Sequence, residues 1–71
     1  MPASEAVHID ARGMKCPWPA LRVARAMRSA DAVTIEADDP IAPVELEALA
    51  RQQGWTFIAE RPHLFALARS L

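Results

Sequence analysis

Gly13-Met14-Lys15-Cys16-Pro17-Trp18-Pro19 holds the only cysteine of the chain, with prolines one and three positions after it. Directly behind, Ala20, Val23, Ala24, Met27 and Ala30 recur at helical spacing. A proline in a first turn suits helix geometry, because its φ is fixed there and its missing N–H would have had no partner. The stretch therefore starts the first helix, from about Pro17 to Ser29, and places Cys16 at or beside its N-cap. Free backbone N–H groups and the positive end of the helix dipole favour an anion there. A thiol in such a place has its pKa lowered from about 8.5 into the range of roughly 3.5–7.5. Lys15 and Arg12 add positive charge nearby. The expectation is an activated sulfur. Its rival is a buried structural cysteine, the commoner fate of a free cysteine, but the flanks are a lysine and two prolines rather than an apolar run.

Outward from this stretch, Val7-His8-Ile9-Asp10 alternates as a half-buried strand. Asp10 either accepts hydrogen bonds from the following loop or is a solvated strand end. Gly13 gives that loop its backbone freedom. On the predicted helix Arg22, Arg25 and Arg28 lie on the wet side and Leu21 at the margin. Trp18 falls on the arginine side, either as a contact residue beside Cys16 or as a lid on the loop. Val33, Ile35 and Ala37 alternate with Thr34 and Glu36 as a second strand, which a right-handed crossover makes parallel to the first. Asp38-Asp39-Pro40-Ile41-Ala42-Pro43 offers two helix starts: Asp39 capping with Pro40 first, or a start nearer Pro43. Leu46, Leu49, Ala50 and Gln53 form the inward line of this helix, with Glu45, Glu47 and Arg51 outside and Gly54 ending it. Residues 55–60 and 64–69 read as two strands joined by a tight turn at Arg61-Pro62-His63. The order is βαβαββ: an α/β (α+β) two-layer sandwich, a four-stranded mixed sheet with two helices on one face.

The chain has 71 residues and a net charge of −1, which makes one domain, residues 7–71, behind a short flexible tail, residues 1–6. One cysteine cannot form an internal disulfide, and no Cys/His spacing suits zinc. His8 and His63 read as solvated edge histidines. No cofactor or metal is called for, and the reducing cytoplasm is the expected compartment. No apolar run reaches the roughly 18 residues of a membrane span. All charges between Ala11 and Ala30 are positive and all between Asp31 and Ala50 negative. Two solvated faces would give this pattern, and so would a dipolar surface that orients a partner near Cys16.

Ile9-Asp10, Gly13-Met14, Cys16-Pro17-Trp18-Pro19 and Leu21, followed by Asp38-Asp39-Pro40 after the second strand, resemble the signature of the TusA (SirA-like) sulfur-carrier family over nearly the whole chain. The resemblance implies a fold like the C-terminal domain of translation initiation factor three. It also implies that Cys16 accepts a sulfane sulfur as a persulfide from a cysteine desulfurase or rhodanese and relays it to a downstream acceptor protein. Family members serve tRNA thiolation, molybdenum-cofactor maturation, sulfur oxidation or selenium metabolism. Lys15, Arg12, Pro17, Trp18, Pro19, Arg22 and Arg25 would then activate the thiol or dock partners, and Asp10, Gly13, Asp39 and Pro40 would be structural motif positions. Carriers of the tRNA branch usually have glutamate where this chain has Trp18, and the family's Asp-Ile-Pro appears here as Glu45-Leu46-Glu47.

With no second cysteine the chain cannot resolve a persulfide internally, so it reads as a monomeric carrier rather than a stand-alone turnover enzyme. Two other classes stand beside this one. One is a regulatory or interaction module with a redox-sensing cysteine. The other is a small nucleic-acid-binding domain suggested by the arginine run, against which the acidic second half and near-neutral charge argue.

Overall fold

A computed structural model describes residues 6–70. Of the expected tail, residues 1–5 lie outside the described residues, and Ala6 is exposed and in no element. Six elements follow: β1 (Val7–Asp10), α1 (Trp18–Ala26), β2 (Ala32–Glu36), α2 (Ala42–Gln53), β3 (Trp55–Arg61) and β4 (Leu64–Arg69). The sheet order is β1-β2-β4-β3, with β1 parallel to β2 and the other pairings antiparallel. This is the expected mixed α+β sheet. The last strand enters between β2 and β3, so β1 and β3 are the edges.

Alternation decides which side of the sheet is covered. Ile9, Val33, Ile35, Phe65 and Leu67 are buried, and they meet Val23 and the C-cap Met27 from α1 and Ala42, Leu46 and Ala50 from α2. Phe57 stacks on Phe65 with ring centroids 5.9 Å apart, extending the packing under β3.

Boundaries moved where local turns compete with the helical pattern. α1 closes at Ala26 instead of Ser29, because Arg28 and Ser29 N–H groups bond three residues back, to Arg25 and Ala26, in tightened turns. An Arg69 guanidinium N–H donates to the Met27 carbonyl, tying this end of α1 to β4. For α2 the second of the two starts is the one adopted, with Ile41 as N-cap and Pro43 in the first turn. Gly54 ends α2 at φ 76°, and its N–H reaches back to the Ala50 and Arg51 carbonyls. No atom would crowd a Cβ there, so the demand is purely conformational. The inward line of α2 is corrected at both ends: Ala42 is buried, Gln53 is exposed, and Glu45 is half-buried instead of outside. β3 runs one residue further than expected, leaving Pro62-His63 as the turn, with His63 at φ 73°.

Candidate functional site

The β1–α1 loop is built by carboxylates. At its start Asp10 accepts from the Arg12 backbone N–H at 3.2 Å and from the guanidinium Nε and Nη2 at 2.9 Å each. That answers the sequence's open question about Asp10: it receives the loop. Arg12 holds the Asp10 carboxyl down at about 2, and the same pair pushes the guanidinium further from deprotonation. Glu36 adds a second anion 3.9 Å from Arg12 Nε. The structure therefore spends the Arg12 charge on β1 and β2, and not on the thiol.

The other half of the loop is held from β2–α2. Gly13, at φ 84°, takes a left-handed conformation that suits only glycine, and its N–H donates to Asp38 Oδ1 at 3.0 Å. The Cys16 N–H donates to Asp39 Oδ2 at 2.7 Å, while the other oxygen of Asp39 accepts from the Ile41 N–H at 3.1 Å. One carboxylate thus staples the cysteine to the start of α2. These bonds, with the Lys15 charge after them, hold the Asp39 carboxyl below the usual carboxylate range. Pro40 follows in the turn that leads to Ile41.

Cys16 itself is exposed, and the peptide bond to Pro17 is cis. Pro17 is the N-cap of α1, so the cysteine stands just outside the helix as the sequence predicts. Its ionisation goes the other way. Lost hydration is the largest cause pushing the thiol up from its ordinary value, followed by the Glu45 charge, the hydrogen bond to Glu45, and Asp39. The reason the dipole loses is local. Pro17 and Pro19 carry no N–H, the Trp18 N–H is given to the Lys15 carbonyl at 2.9 Å, and the Cys16 N–H is given to Asp39. The prolines that begin α1 also remove donors that an anion there would use. Lys15 faces Asp39. These neighbours push the thiol up, opposite to the lowering that the sequence leads one to expect.

At the two helix starts, Trp18 (59% exposed) and Leu21 stand out from α1, and Ile41 and Val44 (68% exposed) from α2. Pro19 is buried and helps seat the first turn of α1. Among the described residues Lys15, Arg22 and Arg25 enter no ion pair; Arg22 only reaches the Met14 sulfur at 3.9 Å. The basic face of α1 is therefore not consumed by the acidic α2 packed beside it. The sequence reading missed Glu45 and Ile41 as neighbours of the site, since their approach depends on how the two helices sit. Only the proline-marked start of α2 hinted at them.

No group of three or more His, Cys, Asp or Glu among the described residues could hold a metal ion. None of the helices described is long and apolar enough to cross a membrane. An open groove of about 600 Å³ lies between the α2 start and the β3–β4 turn, walled by Asp39, Pro40, Pro43, His63 and Phe65 among others; Cys16 is not one of its walls.

Two proteins of Neisseria meningitidis, from serogroups A and B and each bearing the name "Putative sulfur carrier protein", are 38% identical to the chain over 64 residues, covering 83% of it and 86% of each relative. The crystal structure of a SirA-like protein of Desulfitobacterium hafniense superposes with a TM-score of 0.70 at 24% identity, over 86% of this chain and 90% of that one, which establishes the shared fold. The family model described as sulfurtransferase TusA matches residues 7–64, a span that takes in the loop, both helices and the sheet up to the first residue of β4. A single exposed cysteine ahead of a proline-started helix, on this fold and with the family model matching residues 7–64, makes the chain a member of the TusA sulfurtransferase family.

Proposed function

We propose that Cys16 accepts one sulfane sulfur from a donor persulfide and delivers it to a separate acceptor protein, in the reducing cytoplasm and as a monomer. The step balances without an oxidant. The Cys16 Sγ attacks the terminal sulfur of R–S–SH, the new S–S bond forms as the donor's S–S bond breaks, and the Cys16 proton ends on the departing R–SH. The sulfur moves at its own oxidation level. A cysteine desulfurase or a rhodanese is the fitting donor, since both carry sulfur in this form. The observation that carries the reading is the lone exposed thiol on a carboxylate-held loop, beside unpaired arginines and the exposed Trp18 and Leu21.

The thiolate is the nucleophile, so a resting thiol pushed upward must be activated on docking. Lys15, Arg12, Arg22 and Arg25 are the chain's own cations nearest in sequence; of these Arg22 and Arg25, with the exposed Pro17 and Trp18 at the helix start, form the docking face, while the buried Pro19 only seats that turn. The same upward push on the thiol weighs against a redox sensor, whose cysteine is characteristically of low pKa. Intact-mass measurement after incubation with a cysteine desulfurase and cysteine tests the proposal. One added sulfur is expected on the wild type and none on Cys16→Ser; an addition that survives the substitution places the chemistry elsewhere.

A further inference from the structure

Ion pairs take up Asp10, Asp31, Glu36 and Glu47 with Arg12, Arg69 and Arg51. The charges they leave over are sorted by side. Among the described residues Lys15, Arg22, Arg25 and Arg28 are exposed on the cysteine loop and α1 and enter no ion pair. Asp38, Asp39, Glu45 and Glu60, around the start of α2 and the β3–β4 turn, enter none either, and Arg61 is the one leftover cation there. The groove of about 600 Å³ opens on this acidic side, at a size typical of binding sites. Pro40, Pro43, Pro62 and Phe65 give it apolar walls, and Asp39 and Glu60 give it two carboxylates. Arg61 shares its rim, but also borders a second cleft that Glu36 lines. Asp39 ties the groove to the cysteine, because the carboxylate in its wall accepts from the Cys16 N–H at 2.7 Å.

One surface cannot match both sides. A partner complementary to α1 is acidic and is repelled by the groove; a partner complementary to the groove is basic and is repelled by α1. We propose that the groove is the delivery face of the carrier, seating a basic segment of the sulfur acceptor: an apolar side chain between the prolines and Phe65, and a lysine or arginine against Asp39 and Glu60. The acidic partner on α1 is then the donor. Naming the occupant as the acceptor rests on the carrier reading; that the groove takes a basic, apolar segment does not. A segment held there stands one side chain from the cysteine loop, so its thiol can reach the sulfur without entering the groove. The acceptor thiol attacks the outer sulfur of Cys16–S–SH, the new S–S bond forms as the old one breaks, and the acceptor's proton passes to Cys16 Sγ. Sulfur keeps its oxidation level, and no other reactant is needed.

The test uses two short synthetic peptides of equal leucine content, one filled out with lysines and the other with glutamates, titrated into the isotope-labelled chain. In the amide spectrum the lysine peptide is expected to move Ile41, Val44, Glu60, Arg61 and His63, and the glutamate peptide Arg22, Arg25 and Arg28. Glu60→Lys should weaken the lysine peptide on the order of tenfold at low salt and strengthen the glutamate peptide at the groove, a swap that a damaged fold would not produce. Shifts spread evenly over Asp31, Glu36 and Glu47, or a Glu60→Lys variant that binds the lysine peptide like the wild type, overturn the proposal. Delivery is read with the same peptides carrying one cysteine, added to the chain after loading by a cysteine desulfurase, with loss of the added sulfur followed by intact mass. Because lysines also raise a peptide thiol's own reactivity, the readout is the preference for the lysine peptide in the wild type divided by that in Glu60→Lys. That quotient should be well above one, with loading itself equal in the two proteins. A quotient of one alongside groove binding refutes the delivery role. A wild type that never loads refutes the carrier reading and leaves the titration to judge the groove.

Discussion

The two helices of this protein begin alike and do opposite things. Each has a proline in its first turn and neither has a side chain bonded across its own cap. At α1 the prolines and a self-satisfied Trp18 N–H leave little to stabilise an anion, and the thiol placed there is pushed up from its ordinary value. At α2 the preceding Asp39 finds two N–H donors, one from its own helix start and one from the cysteine, and its carboxyl is held below the usual carboxylate range. A helix N-terminus is thus not an anion site by position alone; what counts is which donors remain and which charges the neighbouring helix brings. Here the neighbour brings Asp39 and Glu45, whose charges add to lost hydration in pushing the thiol up.

The most drastic way to break this pairing is to unseat α2. Leu46 is fully buried one residue beyond Glu45, at the centre of the layer between α2 and the sheet. Leu46→Ala is expected to cost about 2–5 kcal/mol, a large share of what so small a chain can hold. Thermal denaturation should show most of the cooperative transition lost. A wild-type melting curve would mean that α2 is not held by its inner face.

Next comes Asp39→Ala, which leaves the core intact and cuts the staple between the two helix starts. Its expected effects are a melting temperature lower by several degrees and a pH midpoint of Cys16 alkylation that falls, because one of the charges raising the thiol is gone. A midpoint that rises instead would show that the loop, once released, buries the sulfur, and that Asp39 serves to expose it.

How much of this was legible in the sequence follows from the range of the interactions. β1, β2, β4 and the Gly54 cap are set by alternation and by one residue's backbone freedom, so the residues themselves announce them. The place of Cys16 next to a helix start is equally local, since Pro17 and Pro19 dictate it. The state of Cys16 is not local. It depends on Asp39, 23 positions away, and on Glu45, and these approach only because α1 and α2 pack side by side on one face of the sheet. Arg12 looked like a cation near the thiol because it is near in sequence, whereas its guanidinium folds back two residues onto Asp10. The solvent reading of Glu45 failed for the same reason: helical spacing says which residues share a face, not what that face meets.

The arginines of α1 sharpen the comparison from the partner's side. If the basic face steers a donor to the thiol, replacing Arg22 and Arg25 by glutamate should slow loading from a desulfurase by on the order of tenfold at low salt, with the gap closing as salt rises. Loading from glutathione persulfide should be nearly unchanged. An equal loss with both donors would make the arginines part of the thiol's own environment.

The smallest effect belongs to Asp10, and its smallness is the point. Its carboxyl sits at about 2 in the folded chain against an ordinary value of 3.8. A carboxyl depressed on folding contributes stability that is present above its unfolded pKa and is lost as pH falls through the folded one. The contribution of Asp10 is therefore full above about pH 4 and gone below about 2. Asp10→Asn removes it, so the gap in melting temperature between wild type and variant should be greatest near neutrality and vanish towards pH 2. The Asp10–Arg12 pair is solvent-exposed on both sides, where pairing is weak and screened by salt, so even the neutral-pH gap should be slight. Asp39, also depressed, should give a gap closing in the same direction. If Asp10→Asn lowered the melting temperature as much as Asp39→Ala, the cysteine loop would be held by its own strand, and the coupling of the two helix starts would lose its structural basis.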